Sequence, residues 1–309
     1  MSTRLVVGVF SPSVLLRVAE RTGRLEEDGL AVTEVPVASS PAQFRSLLQG
    51  DLDVALTSPD NVLAYRYCPD NPLGATADVA ILTAVDRGLG LGLYARPGAS
   101  ASNLRDARWG VDVPTSGFAF GMYALAEHLG LARGEYEVMA LGSTPRRLGA
   151  LLSGDCAATM LNAGNELKAE YAGCLRLARL VDVCAPYLGT VLAAARAPSP
   201  AAWALAHALT ATARRISGGE LDAMAQREAQ KALDLSGEQA ARYVERLKSQ
   251  DEGLVPDGAV DLASLTTLVE LRRRYAPCVA DGVDLLAPAL DPSSGLVAAR
   301  ATPAYEPER

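Results

Sequence analysis

Ser39-Ser40-Pro41-Ala42-Gln43-Phe44-Arg45-Ser46-Leu47-Leu48-Gln49-Gly50-Asp51 and Ser143-Thr144-Pro145-Arg146-Arg147-Leu148-Gly149-Ala150-Leu151-Leu152-Ser153-Gly154-Asp155 are two copies of one pattern, about a hundred residues apart. Each copy reads as a helix. Ser40 or Thr144 supplies an N-cap oxygen, Pro41 or Pro145 takes the first helical position where no N–H is needed, and Gly50 or Gly154 takes the left-handed position past the end. Phe44, Leu47 and Leu48 in one copy, and Leu148, Leu151 and Leu152 in the other, fall on one helical face.

The echo extends on both sides. Short apolar strands follow at 54–58 and 158–162. Upstream, Gly8-Val9-Phe10-Ser11-Pro12-Ser13 matches Gly110-Val111-Asp112-Val113-Pro114-Thr115, and Ala19-Glu20-Arg21-Thr22-Gly23 matches Ala126-Glu127-His128-Leu129-Gly130. With strands at 32–37 and 136–141, each unit reads β-α-β-α-β. That order predicts an α/β fold of two similar lobes, each a mainly parallel sheet with helices on both faces, joined by two crossover strands. The predicted lobes are 1–88 with 191–309, and 89–190. The segment 80–94 leaves the first lobe and 188–195 returns to it. Beyond Pro198 and Pro200 the pattern is helical, at 201–217, 220–235, 236–250 and 261–275, and these helices are expected to complete the first lobe. The stretch from Pro288 reads as a surface tail.

Composition narrows the function. The 309 residues carry 29 Lys+Arg against 36 Asp+Glu, a formal charge of −7, so neither nucleic acid nor an anionic membrane is an expected partner. The span 89–190 holds nine basic and nine acidic residues, which leaves the net charge to the first lobe. No apolar stretch of about 18 residues is present to span a bilayer. The five cysteines are an odd number, widely spaced and without a C-x-x-C pair, and are read as buried free thiols and not as a disulfide or zinc framework. Two histidines, His128 and His207, are not spaced as metal ligands, and no metal or cofactor is expected. Gly88, Gly90 and Gly92 alternate with leucines as in a strand, and no dinucleotide, phosphate-loop or nucleophile-elbow motif occurs.

In open α/β sheets a ligand sits at the carboxyl ends of the strands, where helix N-termini present free N–H groups. Here those loops are Ser11-Pro12-Ser13, Thr57-Ser58-Pro59-Asp60-Asn61, Pro114-Thr115-Ser116-Gly117 and Asn162-Ala163-Gly164-Asn165. Singly these residues are ordinary caps and turn formers. Their recurrence at matching places in both lobes points to a shared cleft. Phe10, Phe118 and Phe120 flank the loops, with Phe118 the expected ligand wall, whereas Phe44 belongs to a core face. Arg146 and Arg147 open the second repeat helix, where a guanidinium would clamp a carboxylate or sulfonate, or simply face solvent.

The segments 5–10 and 19–30, with the Gly50-Asp51-Leu52-Asp53-Val54-Ala55 turn, resemble the first lobe of type 2 periplasmic-binding-protein-like solute receptors. The similarity is greatest to the nitrate, taurine and aliphatic-sulfonate branch of ABC-transporter binding proteins, which also contains pyrimidine-precursor binding proteins. Ser102-Asn103-Leu104-Arg105-Asp106-Ala107-Arg108-Trp109-Gly110-Val111 resembles that family's entry to the second lobe, and Val255-Pro256-Asp257-Gly258-Ala259-Val260-Asp261 its C-terminal region. The resemblance implies hinge closure on a small acidic or heteroaromatic molecule and an ABC permease as partner. With the strand-end pattern it assigns the binding residues Phe10, Ser11, Ser13, Ser58, Asp60, Thr115, Ser116, Phe118, Asn162 and Tyr187.

Met1-Ser2-Thr3-Arg4 runs directly into an apolar strand with no signal-peptide pattern. The expected location is therefore cytoplasmic if the sequence is complete, and periplasmic or cell-surface if an export signal has been removed. The first case admits an alternative, since the same fold carries cytosolic enzymes: a decarboxylase, isomerase or lyase acting on a small acid, with Asp60 and Glu166 as the acid/base groups. The iron motif of the related thiamine-pyrimidine synthase is not matched, because Cys184 stands alone. No feature specifies an oligomeric state.

Overall fold

The computed structural model describes residues 2–99, 101–195 and 197–299. The chain runs β1 (Thr3–Val9), α1 (Val14–Arg21), α2 (Arg24–Glu27), β2 (Leu30–Pro36), α3 (Ser40–Gln49), β3 (Val54–Thr57), α4 (Pro59–Tyr67) and β4 (Val79–Asp86). It then enters a second layer system with β5 (Gly92–Ala95), α5 (Ala101–Leu104), β6 (Arg108–Val111), α6 (Gly117–His128), β7 (Glu137–Ala140), α7 (Thr144–Ser153), β8 (Ala158–Leu161), α8 (Asn165–Tyr171) and β9 (Leu175–Arg179). It returns through β10 (Thr190–Ala195) and ends in α9 (Pro200–Ser217), α10 (Asp222–Leu233), α11 (Gly237–Lys248) and α12 (Leu262–Tyr275).

Two five-stranded sheets result, ordered β2-β1-β3-β10-β4 and β7-β6-β8-β5-β9. The repeat is visible in them: β1 pairs in parallel with β2 and β3 as β6 pairs with β7 and β8. Each sheet is mainly parallel, as expected, with one strand running against the other four. β10 lies antiparallel between β3 and β4, and β5 antiparallel between β8 and β9. The reason is connectivity. A strand that arrives directly from the other lobe enters at the cleft end of the sheet and runs opposite to strands that end there.

The repeat helices form as their patterns dictate, one residue out of phase at the start. Ser39, not Ser40, is the N-cap of α3, its Oγ accepting from the Ala42 N–H at 3.4 Å, and Ser143 holds the matching place before α7. Gly50 and Gly154 close the two helices with φ of 87° and 86°, a conformation that costs any L side chain. Phe44 and Leu47, with Leu148 and Leu151, are buried as their spacing predicts.

Three expectations are corrected. Gly88 and Gly90 are not in a strand: with Leu89 they adopt positive φ, and the residues between β4 and β5 form a tight connection between the sheets. Among the C-terminal helices, α9 and α10 cover α1, while α11 also touches α8 and α12 packs on both α4 and α6. The segment after Pro288 is not a free tail. Leu296 is buried, and the Ile81 N–H donates to the Leu296 carbonyl at 2.8 Å while the Ala298 N–H donates to Ile81, adding an edge to β4; residues 300–309 lie outside the described part. Finally, Cys68 at the end of α4 and Cys278 beyond α12 form a disulfide across 210 residues, leaving Cys156, Cys174 and Cys184 as buried thiols. Linear spacing carries no trace of such a pairing, because the fold alone brings the two Cα atoms to 5.3 Å.

Candidate functional site

The carboxyl ends of β1, β3, β6 and β8 converge where the two sheets face each other, and α1, α4, α6 and α8 start there. Between these ends lies a cavity of about 120 Å³ lined from both lobes. The first lobe contributes the Phe10–Ser13 loop, Thr57, Ser58 and Asn61, and the second contributes Asp112, Ser116–Phe118, Thr144, Arg147, Asn162 and Ala163. Asp86 and Thr190, from the ends of the two strands that flank the lobe connections, form another part of the wall, and Tyr243 and Leu247 of α11 close it with Leu254 from the segment beyond that helix. Cavities of about 150 Å³ hold a single benzene ring, which sets the ligand scale.

The two lobes are already drawn together around this space. The Asn162 side-chain amide donates to the Gly88 carbonyl at 3.1 Å, and the Ala163 N–H to Leu89, so the β8–α8 loop is fastened to the lobe connection. On one flank Arg246 of α11 pairs with Glu166 and Glu170 of α8. On the other, Arg272 of α12 pairs with Asp60 of α4 and donates to the Thr115 carbonyl at 3.1 Å.

Of the residues expected at the site, Phe10, Ser11, Ser13, Ser58, Ser116, Phe118 and Asn162 line the cavity. Ser13 and Ser116 also cap α1 and α6, each accepting an N–H of its own helix at 3.2 Å, whereas the Ser58 hydroxyl has no partner. Asp60, Thr115, Tyr187 and Glu166 are not among the lining residues. Asp60 is fully buried and turned into the Arg272 pair, because one residue further along α4 the helix has rotated and presents Asn61 to the cavity instead. Thr115 is exposed and offers its carbonyl to Arg272. Tyr187 lies in the core with its hydroxyl unpaired, and burial raises its pKa well above the ordinary tyrosine value. Glu166 is enclosed by Arg246 and the Gly164 N–H, which donates at 2.7 Å; burial nevertheless pushes its carboxyl up to about 7.

The polar heart of the cavity is Asp112, Arg147 and Asp86, of which the sequence reading offered Arg147 as an anion clamp and placed neither aspartate among the binding residues. Asp112 follows β6 at the place where Phe10 follows β1, so the internal repeat held a signal for it. Its carboxyl is raised above the ordinary range by burial, against the pull of the Arg147 charge and hydrogen bonds from Ser40. Arg147 is inside and not on a solvated face, whereas Arg146 is exposed. The Arg147 guanidinium donates to the Met160 carbonyl at 3.2 Å, the Gly142 carbonyl at 2.5 Å and the Thr144 hydroxyl at 2.9 Å. Burial lowers its pKa to about 10, so it stays charged at neutral pH. Asp86 accepts from the Gly88 N–H at 2.8 Å and from the Thr190 hydroxyl, yet burial raises it to about 6.

Among the described residues, one set of side chains has metal-ligand geometry, Cys68, Asp70 and Cys278, and two of its three donor atoms are joined as the disulfide. No described helix is long and apolar enough to cross a membrane.

No family model and no curated protein matches the sequence. Solved structures do match in shape. The alkanesulfonate-binding protein SsuA from Xanthomonas axonopodis pv. citri, bound to MOPS, is similar with a TM-score of 0.71 at 15% identity, over 94% of this chain and 98% of that one. The periplasmic nitrate-binding protein NrtA from Synechocystis PCC 6803 gives a TM-score of 0.70 at 14% identity, over 91% and 84%. A conserved Candida albicans gene product described as having the generic periplasmic binding protein fold gives 0.69 at 16% identity, over 92% and 93%. With its two matched lobes, paired connections and cleft at the strand ends, the chain has the fold of the periplasmic binding proteins.

Proposed function

We propose that this chain is a small-molecule binding protein of the ABC-importer solute-binding type, which closes its lobes around one ligand and hands it to a permease. The observation that carries this reading is the cavity itself, which is walled by strand-end loops of both lobes. A ligand there touches both lobes at once only in the closed state, so its binding energy shifts the population towards closure. The resemblance in fold to SsuA and NrtA supports the same role.

The enzyme reading has less behind it. Its acid/base candidates, Asp60 and Glu166, are each engaged by an arginine and stand outside the cavity lining. The Cys68–Cys278 disulfide supports action in an oxidising compartment, the periplasm or the cell surface, since thiols are kept reduced in the cytosol of most organisms.

The test is a thermal-shift screen of the purified protein against small acids, sulfonates and heteroaromatic compounds, with mass analysis of each hit after incubation. A ligand recovered unchanged, bound more weakly by Ser58→Ala combined with Asn162→Ala, is the expected result. Chemical turnover of the hit, or an affinity indifferent to both substitutions, overturns it.

A further inference from the structure

We infer that the cleft selects a ring-sized molecule bearing a hydrogen-bond-donating nitrogen, an amino or amidino group seated between Asp112 Oδ1 and Ser58 Oγ, and not an oxyanion. This specificity rests on the binding-protein reading of the same cavity. It is argued from which polar atoms of the wall are still unpaired.

Two acceptors are. Asp112 is 7% exposed, and its Oδ1 has no hydrogen-bond partner although Ser40 serves the carboxylate elsewhere. Ser58 Oγ is buried and likewise unpaired. It differs in this from Ser13 and Ser116, whose hydroxyls are occupied by N–H groups of α1 and α6. The two residues belong to opposite lobes and both line one cavity. A buried acceptor left without a donor destabilises the closed state, and more so when it is charged. A ligand that brings N–H groups to both removes that penalty, and does so only when the lobes are closed.

Of the wall's donors, the cation and the two asparagine amides already bond within the protein. Arg147, the single cation among the described residues lining the cavity, spends Nε, Nη1 and Nη2 on Met160, Gly142 and Thr144. The Asn61 and Asn162 amides donate to Thr57 and to the Gly88 carbonyl. Two carboxylates, Asp86 and Asp112, stand against that one guanidinium, so an anion entering the cavity loses its water and meets like charge. A cation meets complementary charge. The rest of the wall, with Phe10, Phe118, Leu56, Leu89 and Leu254, suits a flat apolar body.

Four probes share one ring and differ in the head group: benzamidine and benzylamine against benzoate and benzenesulfonate. Calorimetric titration of the whole protein at pH 7.5 is expected to show both cations binding at least tenfold tighter than both anions. Asp112→Asn, which keeps the shape and removes the charge, is expected to weaken the cations at least tenfold, and Ser58→Ala to weaken them several-fold. Preferential binding of an anion that is weakened by Ser58→Ala overturns the donor-nitrogen specificity and leaves the binding cleft standing. If no probe binds, or binding ignores both substitutions, the specificity and the cleft fall together.

Discussion

Asp60 and Arg272, 212 residues apart, meet in a two-pronged ion pair, Nε to Oδ1 at 2.8 Å and Nη2 to Oδ2 at 2.7 Å, with both side chains almost wholly buried. The same Nη2 also donates to the Thr115 carbonyl, so one guanidinium joins α4 of the first lobe, α12 and the loop that starts α6 of the second. The pair therefore acts on how the lobes seat and not on the ligand. Removing one partner strands a buried charge. Arg272→Met is expected to destabilise the fold by about 3–5 kcal/mol in urea unfolding. Asp60→Asn added to it is expected to restore most of the loss, because the remaining group is neutral. A double variant no better than the single one would refute an uncompensated charge as the cause.

The disulfide ties the same two helices a second time, through Cys68 after α4 and Cys278 after α12. Closing a loop this long restricts the unfolded chain strongly, and Cys68→Ser with Cys278→Ser is expected to cost about 2–5 kcal/mol. Thiol titration gives an independent check. The denatured, unreduced protein is expected to expose three reactive thiols and the reduced protein all five. Five in both states would remove the cross-link.

What could be read from the chain was what is encoded locally. The Ser39–Asp51 and Ser143–Asp155 copies carry their own caps, apolar faces and left-handed glycines, and from them follow the α/β units, the two-lobed fold and the strand-end loops. Asp60 shows the limit. It sits beside Ser58 in sequence, but its direction is decided by one further step of helix rotation and by an arginine from the far end of the chain. Tyr187 and the two bonded cysteines depend likewise on contacts between distant segments. Asp112 and Arg147 were nameable as residues, but their meeting in one cavity wall needed β6 and α7 to be brought together first.

Gly117 opens α6 where that helix passes closest to the first lobe, and a Cβ built on it would stand 2.6 Å from Asp60 Cβ. Asp60 has no room to yield, since Arg272 holds both of its oxygens. Gly117→Ala is expected to push α6 away from α4 and to cost about 1–3 kcal/mol as overpacking. It should also weaken any cleft ligand, because Ser116 and Phe118 flank the residue and line the cavity. Unfolding and ligand titration on the same variant test both consequences, and unchanged values in both would show that the helices separate freely.

Asp86 makes the stability of the protein depend on pH in a direction opposite to that of most paired carboxylates. Burial raises its carboxyl from 3.8 in the ordinary state to about 6 in the fold, despite the bonds from Thr190 and Gly88. The folded state therefore holds the proton more tightly than the unfolded chain. Its contribution is fully present below the unfolded value of 3.8 and is lost as pH rises through about 6. At 1.36 kcal/mol per unit the loss approaches about 3 kcal/mol. Asp86→Asn removes this titration, so the stability difference between variant and wild type should move in favour of the variant between pH 4 and pH 8. A difference that stays flat would show that Asp86 titrates as an exposed carboxylate. A bound cation opposes the same shift, because it favours the ionised carboxylate. Saturating benzamidine is therefore expected to flatten the wild-type pH dependence, and that of Asp86→Asn by less, since Asp112 is raised in the same direction.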